Sequence, residues 1–178
     1  MSGKNSVGIG ACMALGLMLS PCVSAGVVNG VLSQWNLQVD ECEDEQLDLA
    51  AVVNVAMFEA VNRIAGKYTP YLAAPSTRGT GSMEAAAATA AHDVLVALCP
   101  DQSERFAGAL KSSLAEVKDA KARDAGAKVG KAAAAAVIAA RADSGADKAD
   151  PVFDPPVAGT YAPTLERVGV NIARIRPW

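Results

Sequence analysis

More than one residue in five of this chain is alanine, 37 of 178 positions, while aromatic residues make up only 4%. Alanine is the strongest helix former and carries no bulk beyond Cβ, so helices that meet through it approach closely. Sandwiched strands draw instead on β-branched and aromatic residues, and no period-two alternation runs through the sequence. The expected class is therefore all-α, an Ala-rich bundle of about four helices. Hydrophobic types reach 51% and mean hydropathy is +0.20, which excludes a disordered charged tail. The length suits one domain of ordinary size or two very small ones.

The first residues read as an export signal. Lys4 forms a short basic start, Val7 to Leu19 is apolar or small, and Val23-Ser24-Ala25 offers the small residues of a cleavage site. The apolar run is about thirteen residues, whereas a membrane span needs about twenty. Pro21 ahead of Cys22 argues against a lipid anchor. The division expected is a signal peptide at 1–25, a helical region at 26–145 and a Pro-rich tail at 146–178. An exported protein, periplasmic or extracellular and with no stable span after cleavage, is implied.

Helical periodicity organises the middle of the chain. From Leu47 to Ala65, Leu49, Val53, Met57, Ala60, Val61 and Ile64 recur at three- and four-residue steps, and Gly66 can end the helix. Pro70, Pro75 and two glycines mark the loop at 67–81. Ser82 reads as the N-cap of a second helix ending near Cys99, before Pro100. Asp101 with Glu104 reads as a capping box for a third, which carries Phe106, Leu110, Leu114 and Val117 on one face. A fourth runs from Ala120 to Ala142 with Val129, Ala133, Val137 and Ala140 on a stripe. Pro151, Pro155, Pro156, Pro163 and Pro177 then make an extended tail.

Few residues offer chemistry. Cys42 and Cys99 remain after cleavage; in an oxidising compartment they could pair, or Cys99 could be a small buried hydrophobe and Cys42 an exposed thiol. Neither belongs to a CxxC pair, so zinc and dithiol redox chemistry lack support. The acids Asp40, Glu41, Glu43, Asp44, Glu45 and Asp48 do not fit an EF-hand and read as a solvated helix start. Net charge is −3 without a dense basic patch, so no nucleic-acid partner is expected. His92 is the single histidine, which excludes any mechanism needing two within this chain. Neighbours at i and i+1 leave a helix in different directions, so Asp93 is not expected to act on His92 and a structural role is expected. Ser112, Ser113, Lys118, Lys121, Lys128 and Lys131 read as polar helix faces.

Met57-Phe58-Glu59-Ala60-Val61-Asn62-Arg63-Ile64, followed by Tyr68-Thr69-Pro70-Tyr71, resembles the start of bacterial vanadium-dependent haloperoxidase-like proteins. These belong to the superfamily of type 2 phosphatidic acid phosphatases. The resemblance continues through Ala86 to Leu95, in Leu98-Cys99-Pro100, along Gly130 to Ala142, and in Pro155 to Pro163 with Val168 to Trp178. It covers the chain from about Trp35 onward. It implies an oxyanion site, vanadate or the phosphate it mimics, caged by Lys, Arg, Ser, Gly and His donors that an anion of several charged oxygens requires.

The family's cage motifs are absent. The family has Lys, six residues, then Arg-Pro; here Arg176-Pro177 has Gly169 at the lysine position. Pro75-Ser76 is followed by Thr77 rather than Gly-His, and no Arg has a His six residues on. The position His92 matches in the family is scaffold. No catalytic, cofactor-binding or metal residue is therefore assigned, and no cofactor is expected in this chain; vanadate is implied only for a complete family member. The expectation is an exported N-terminal portion of such a protein, its tail leading toward a catalytic half not contained here, whose own activity is uncertain. A half-domain would expose an apolar stripe, and self-association or pairing with a chain carrying the cage would follow. The alternatives are a small secreted helical-bundle binding protein or a noncatalytic subunit.

Overall fold

A computed structural model describes residues 23–40, 42, 48–72, 79–145 and 175–176. The signal segment up to residue 22 and nearly all of the Pro-rich tail lie outside them. Five α-helices and no strand occur among the described residues: α1 (Val23–Asp40), α2 (Leu49–Ala65), α3 (Met83–Leu98), α4 (Ser103–Glu116) and α5 (Ala120–Arg141), with a 3₁₀ turn at Pro100–Gln102. The class is all-α, with one more helix than the periodicity suggested. That helix is α1, which begins at Val23, before the expected cleavage position. Its buried Val31, Trp35 and Val39, four residues apart, are the stripe that identifies it.

The helix α3 is the axis of the bundle and packs against all four others. Every residue from Ala85 to Ala91 is buried, as are Val94 and Leu95. A helix apolar on all sides belongs inside, and alanine lets it be surrounded. Its closest neighbour is α5, which runs parallel to it. Gly126 meets the carbonyl of Ser82, and Gly130 meets the carbonyl of Ala86 and the side chain of Thr89, so closely that neither position has room for a Cβ. The stripe of α5 is therefore Gly126, Gly130, Ala133, Ala134, Val137 and Arg141. Val129 and Ala140 of the expected stripe are only half-buried.

Helix ends follow local chemistry in most places. Gly66 adopts φ +62° after α2 and its N–H reaches the carbonyl of Asn62 at 2.6 Å. Ser82 caps α3, its hydroxyl accepting from the Ala85 N–H at 3.0 Å, and Asp119 does the same for α5 with Ala122. The capping box at Asp101 does not form. The chain turns through the 3₁₀ segment first, α4 starts at Ser103, and no side chain caps it. On α4 the buried residues are Phe106 and Ser113; Leu110 and Leu114 are half-buried, and Ser113, expected on a polar face, contacts Gln34 on α1 at 3.5 Å.

Three crosslinks tie the ends together. Cys42 and Cys99 form a disulfide, with Cα atoms 6.4 Å apart, joining the α1–α2 connection to the end of α3. Asn36 and Asn54 exchange amide hydrogen bonds of 2.8 and 3.3 Å between α1 and α2. Arg141, at the end of α5, donates to Asp48 and to the Arg176 carbonyl, each at 2.6 Å. Asp48 was expected in a solvated helix start; its side chain is instead only 14% exposed because the guanidinium draws it in. The other acids at 41 and 43–45 lie outside the described residues. Among the described residues the large exposed hydrophobics are Leu37 on α1 and Tyr68 and Tyr71 in a loop, which form no continuous helical stripe.

Candidate functional site

Two places in the bundle combine polar chemistry with defined geometry. The first is the loop after α2. Glu59 is 1% exposed, and its Oε1 accepts from the N–H groups of Tyr71 and Leu72 at 2.6 and 3.3 Å. One turn on, Asn62 donates to the Tyr68 carbonyl at 2.7 Å and accepts from the Lys67 and Tyr68 N–H groups at 3.2 and 2.9 Å. Spacing of three residues puts both side chains on one face of α2, where they take the place of a missing strand or helix partner for the loop backbone. Phe58 completes the unit: Tyr71 stands edge-on to its ring at 5.8 Å and Tyr68 tilts against it at 6.2 Å. Both tyrosines remain about two-thirds exposed. Five of the residues quoted for the family resemblance, Phe58, Glu59, Asn62, Tyr68 and Tyr71, thus form one physical unit that fixes a loop.

The second place surrounds His92. Its Nδ1 lies 2.8 Å from Asp93 Oδ1, so the expectation that adjacent residues cannot meet is corrected: both side chains leave the half-buried flank of α3 and turn toward each other. Trp35, fully buried, stands edge-on to the imidazole with centroids 6.4 Å apart. The ring is held from two sides. Nε2 makes no hydrogen bond among the described residues.

His92 forms one wall of a groove of about 570 Å³ opening between α4 and α5. The groove exists because α4 packs on α3 and not along α5. Leu110 and Leu114, successive on one face of α4, form its floor with Ala107 and Ala115; Lys111 and Arg123 stand at its edge. Arg123 Nε lies 3.5 Å from its neighbour Asp124, and both are substantially exposed, so that pair contributes little to stability.

Vanadate or phosphate does not fit this arrangement. Such an anion requires N–H donors on several sides, and the groove floor is two leucines and two alanines. The other arginines near one another, Arg141 and Arg176, are directed to Asp48 and to the carbonyl of Ala140. Lys118, Lys121, Lys128 and Lys131 are exposed on α5 and on the segment before it. No group of three or more His, Cys, Asp or Glu suited to a metal occurs among the described residues, and none of their helices is long and apolar enough to cross a membrane. Sequence reasoning missed the groove and the His92–Asp93 contact. Leu110 and Leu114 beside Lys111 were visible, but nothing in the order of residues says that α5 stands away from α4.

Compared with models of protein families, with curated proteins and with solved structures, the chain matches none.

Proposed function

We propose that this chain is the exported N-terminal helical portion of a vanadium-dependent haloperoxidase or acid-phosphatase-like protein, without the residues that would hold vanadate and inactive by itself. The observation carrying the reading is the unit of Phe58, Glu59, Asn62, Tyr68 and Tyr71. These residues carry the resemblance, and their contacts give each a reason to be there. The Cys42–Cys99 disulfide supports an oxidising compartment. The role of the bundle is then scaffolding: it presents a fixed loop to the catalytic half, in the same polypeptide or on a separate chain.

The test is a bromide-dependent peroxidase assay and a phosphate-monoester hydrolysis assay on the purified chain, each with and without vanadate. No turnover above background is expected, since losing even one oxyanion donor typically costs about 10²–10³ in rate and here no cage is assigned. Vanadate-dependent turnover lost in His92→Ala would overturn the reading and make His92 catalytic. A second reading, a small secreted helical bundle that binds a partner, is favoured by the continuous core around α3. Reading the nucleotide sequence beyond the Trp178 codon separates the two. A continuing frame with Arg-Pro, Gly-His and a distant second His favours the first; a long unrelated stretch favours the second.

A further inference from the structure

We infer that the groove between α4 and α5 binds a small single-chain anionic amphiphile, its acid head on Lys111 and Arg123 and its chain on Leu110 and Leu114. The volume, about 570 Å³, falls in the range of small-molecule sites. Its ionisable lining residues are all basic, His92, Lys111 and Arg123, in a chain whose net charge is −3. Asp93 lies against His92 and Asp124 against Arg123, so Lys111 supplies the local excess of positive charge that favours an anion. Lys111 has no acidic partner among the described residues, and Arg123 engages Asp124 only loosely, through Nε at 3.5 Å. Their remaining donors are open to a ligand.

The floor selects the rest of the ligand. Leu110 and Leu114 are half-buried and four residues apart, so they make one apolar strip about a helical turn long. A hydrated multivalent oxyanion gains nothing from that strip. A short hydrocarbon chain does, because it removes apolar surface from water on both partners. Lys111 reaches the groove from α4 and Arg123 from α5, a pair of cations that suits a single carboxylate or similar head. His92 closes the groove from α3 with a ring already fixed by Asp93 and Trp35, so the wall is preformed and little ordering accompanies binding. The inference does not depend on the proposed relationship to haloperoxidases, whose site would lie elsewhere.

Calorimetric titration of the full chain with decanoate, below its micelle concentration, is the test. One saturable site per chain is expected, with butanoate and decyltrimethylammonium each at least about tenfold weaker, because one lacks the chain and the other the charge. Lys111→Glu with Arg123→Glu should weaken decanoate by about tenfold or more, and Leu110→Asp should do the same. The charge pair is exposed or nearly so, and unchanged helical circular dichroism and melting temperature are the control for its folding. Should Leu110→Asp unfold the bundle, the charge variant decides alone. Non-saturating uptake, equal affinity for decyltrimethylammonium, or equal affinity of the charge variant would overturn the proposal. So would a chain that elutes as a dimer, ignores decanoate and becomes monomeric on charge reversal, which would give the groove to a second copy.

Discussion

Glu59 and Arg141 show what a single buried polar side chain does in this bundle. Glu59 has no basic partner among the described residues; its Oε1 is satisfied by two loop N–H groups, and its Oε2 has no partner among those residues. Removing the acceptor leaves those N–H groups to find water. Glu59→Ala is expected to cost about 1–3 kcal/mol in chemical denaturation. It should also raise amide exchange at Tyr71 and Leu72 far more than in α3, and equal acceleration throughout would refute a local role. Asn62→Ala should act the same way at Lys67 and Tyr68. Arg141 is different, because Asp48 is its charged partner and its side chain is only 8% exposed. Arg141→Ala strands a carboxylate, and a loss of about 3 kcal/mol is expected. Adding Asp48→Leu to an Arg141→Met background should recover part of it. If the double variant is no more stable than Arg141→Met alone, the pair is not the source of the loss.

At the scale of elements, α3 and α5 decide the architecture, and glycine rather than apolar bulk sets their separation. A methyl at Gly130 would meet the carbonyl of Ala86, which is backbone and cannot swing aside. The helices must then move apart, and Val137, Ala133 and Ala134 lose contact with α3 together. Gly130→Ala is expected to destabilise by about 1–3 kcal/mol, although alanine is the better helix former by about 1 kcal/mol. Gly108→Ala is the matched control, since a Cβ there meets nothing within 4 Å. It should be neutral or stabilising. Melting temperatures of the two variants check this, and a stabilised Gly130→Ala protein would contradict the close approach. Neither glycine is distinguished by its sequence neighbours: each sits within a helical run, and only the partner helix differs.

For the whole molecule the disulfide matters most, because it closes a segment containing α2, its fixed loop and α3. With Cys42 and Cys99 57 positions apart, the chain-entropy estimate of its stabilisation is about 4 kcal/mol. Reduction, or Cys42→Ser with Cys99→Ser, is expected to lower the melting temperature by about 8–16 °C for a domain of this size, at about 2–4 °C per kcal/mol. An unchanged melting temperature on reduction would mean that the thiols contribute nothing to the folded state. The groove carries the other molecular consequence: because α4 packs chiefly on α3, its flank toward α5 is open among the described residues.

How much of this was legible can be judged residue by residue. Alanine content and the spacing of Leu49, Val53 and Met57 suffice for the helical class, since periodicity is a local property of the chain. Gly66, Ser82 and Pro100 mark helix ends because capping is satisfied within four residues. The capping box at Asp101 and Glu104 misled, for Pro100 starts a 3₁₀ turn that shifts the frame of α4. Spacing also identified most of the core, and missed α1 although Val31, Trp35 and Val39 follow the same rule.

The sequence by itself thus determined the helical class, four of the five helices, most of their ends and the absence of the three cage motifs, because each depends on near neighbours or on the order of residues alone. The tertiary structure alone decided that Cys42 meets Cys99, that Asp48 is claimed by Arg141 93 positions away, and that His92 turns to Asp93 beside Trp35. It alone opened a groove beside α4. Those outcomes depend on which helices share a face, and burial of the small residues of α3 settles that only once the bundle has closed.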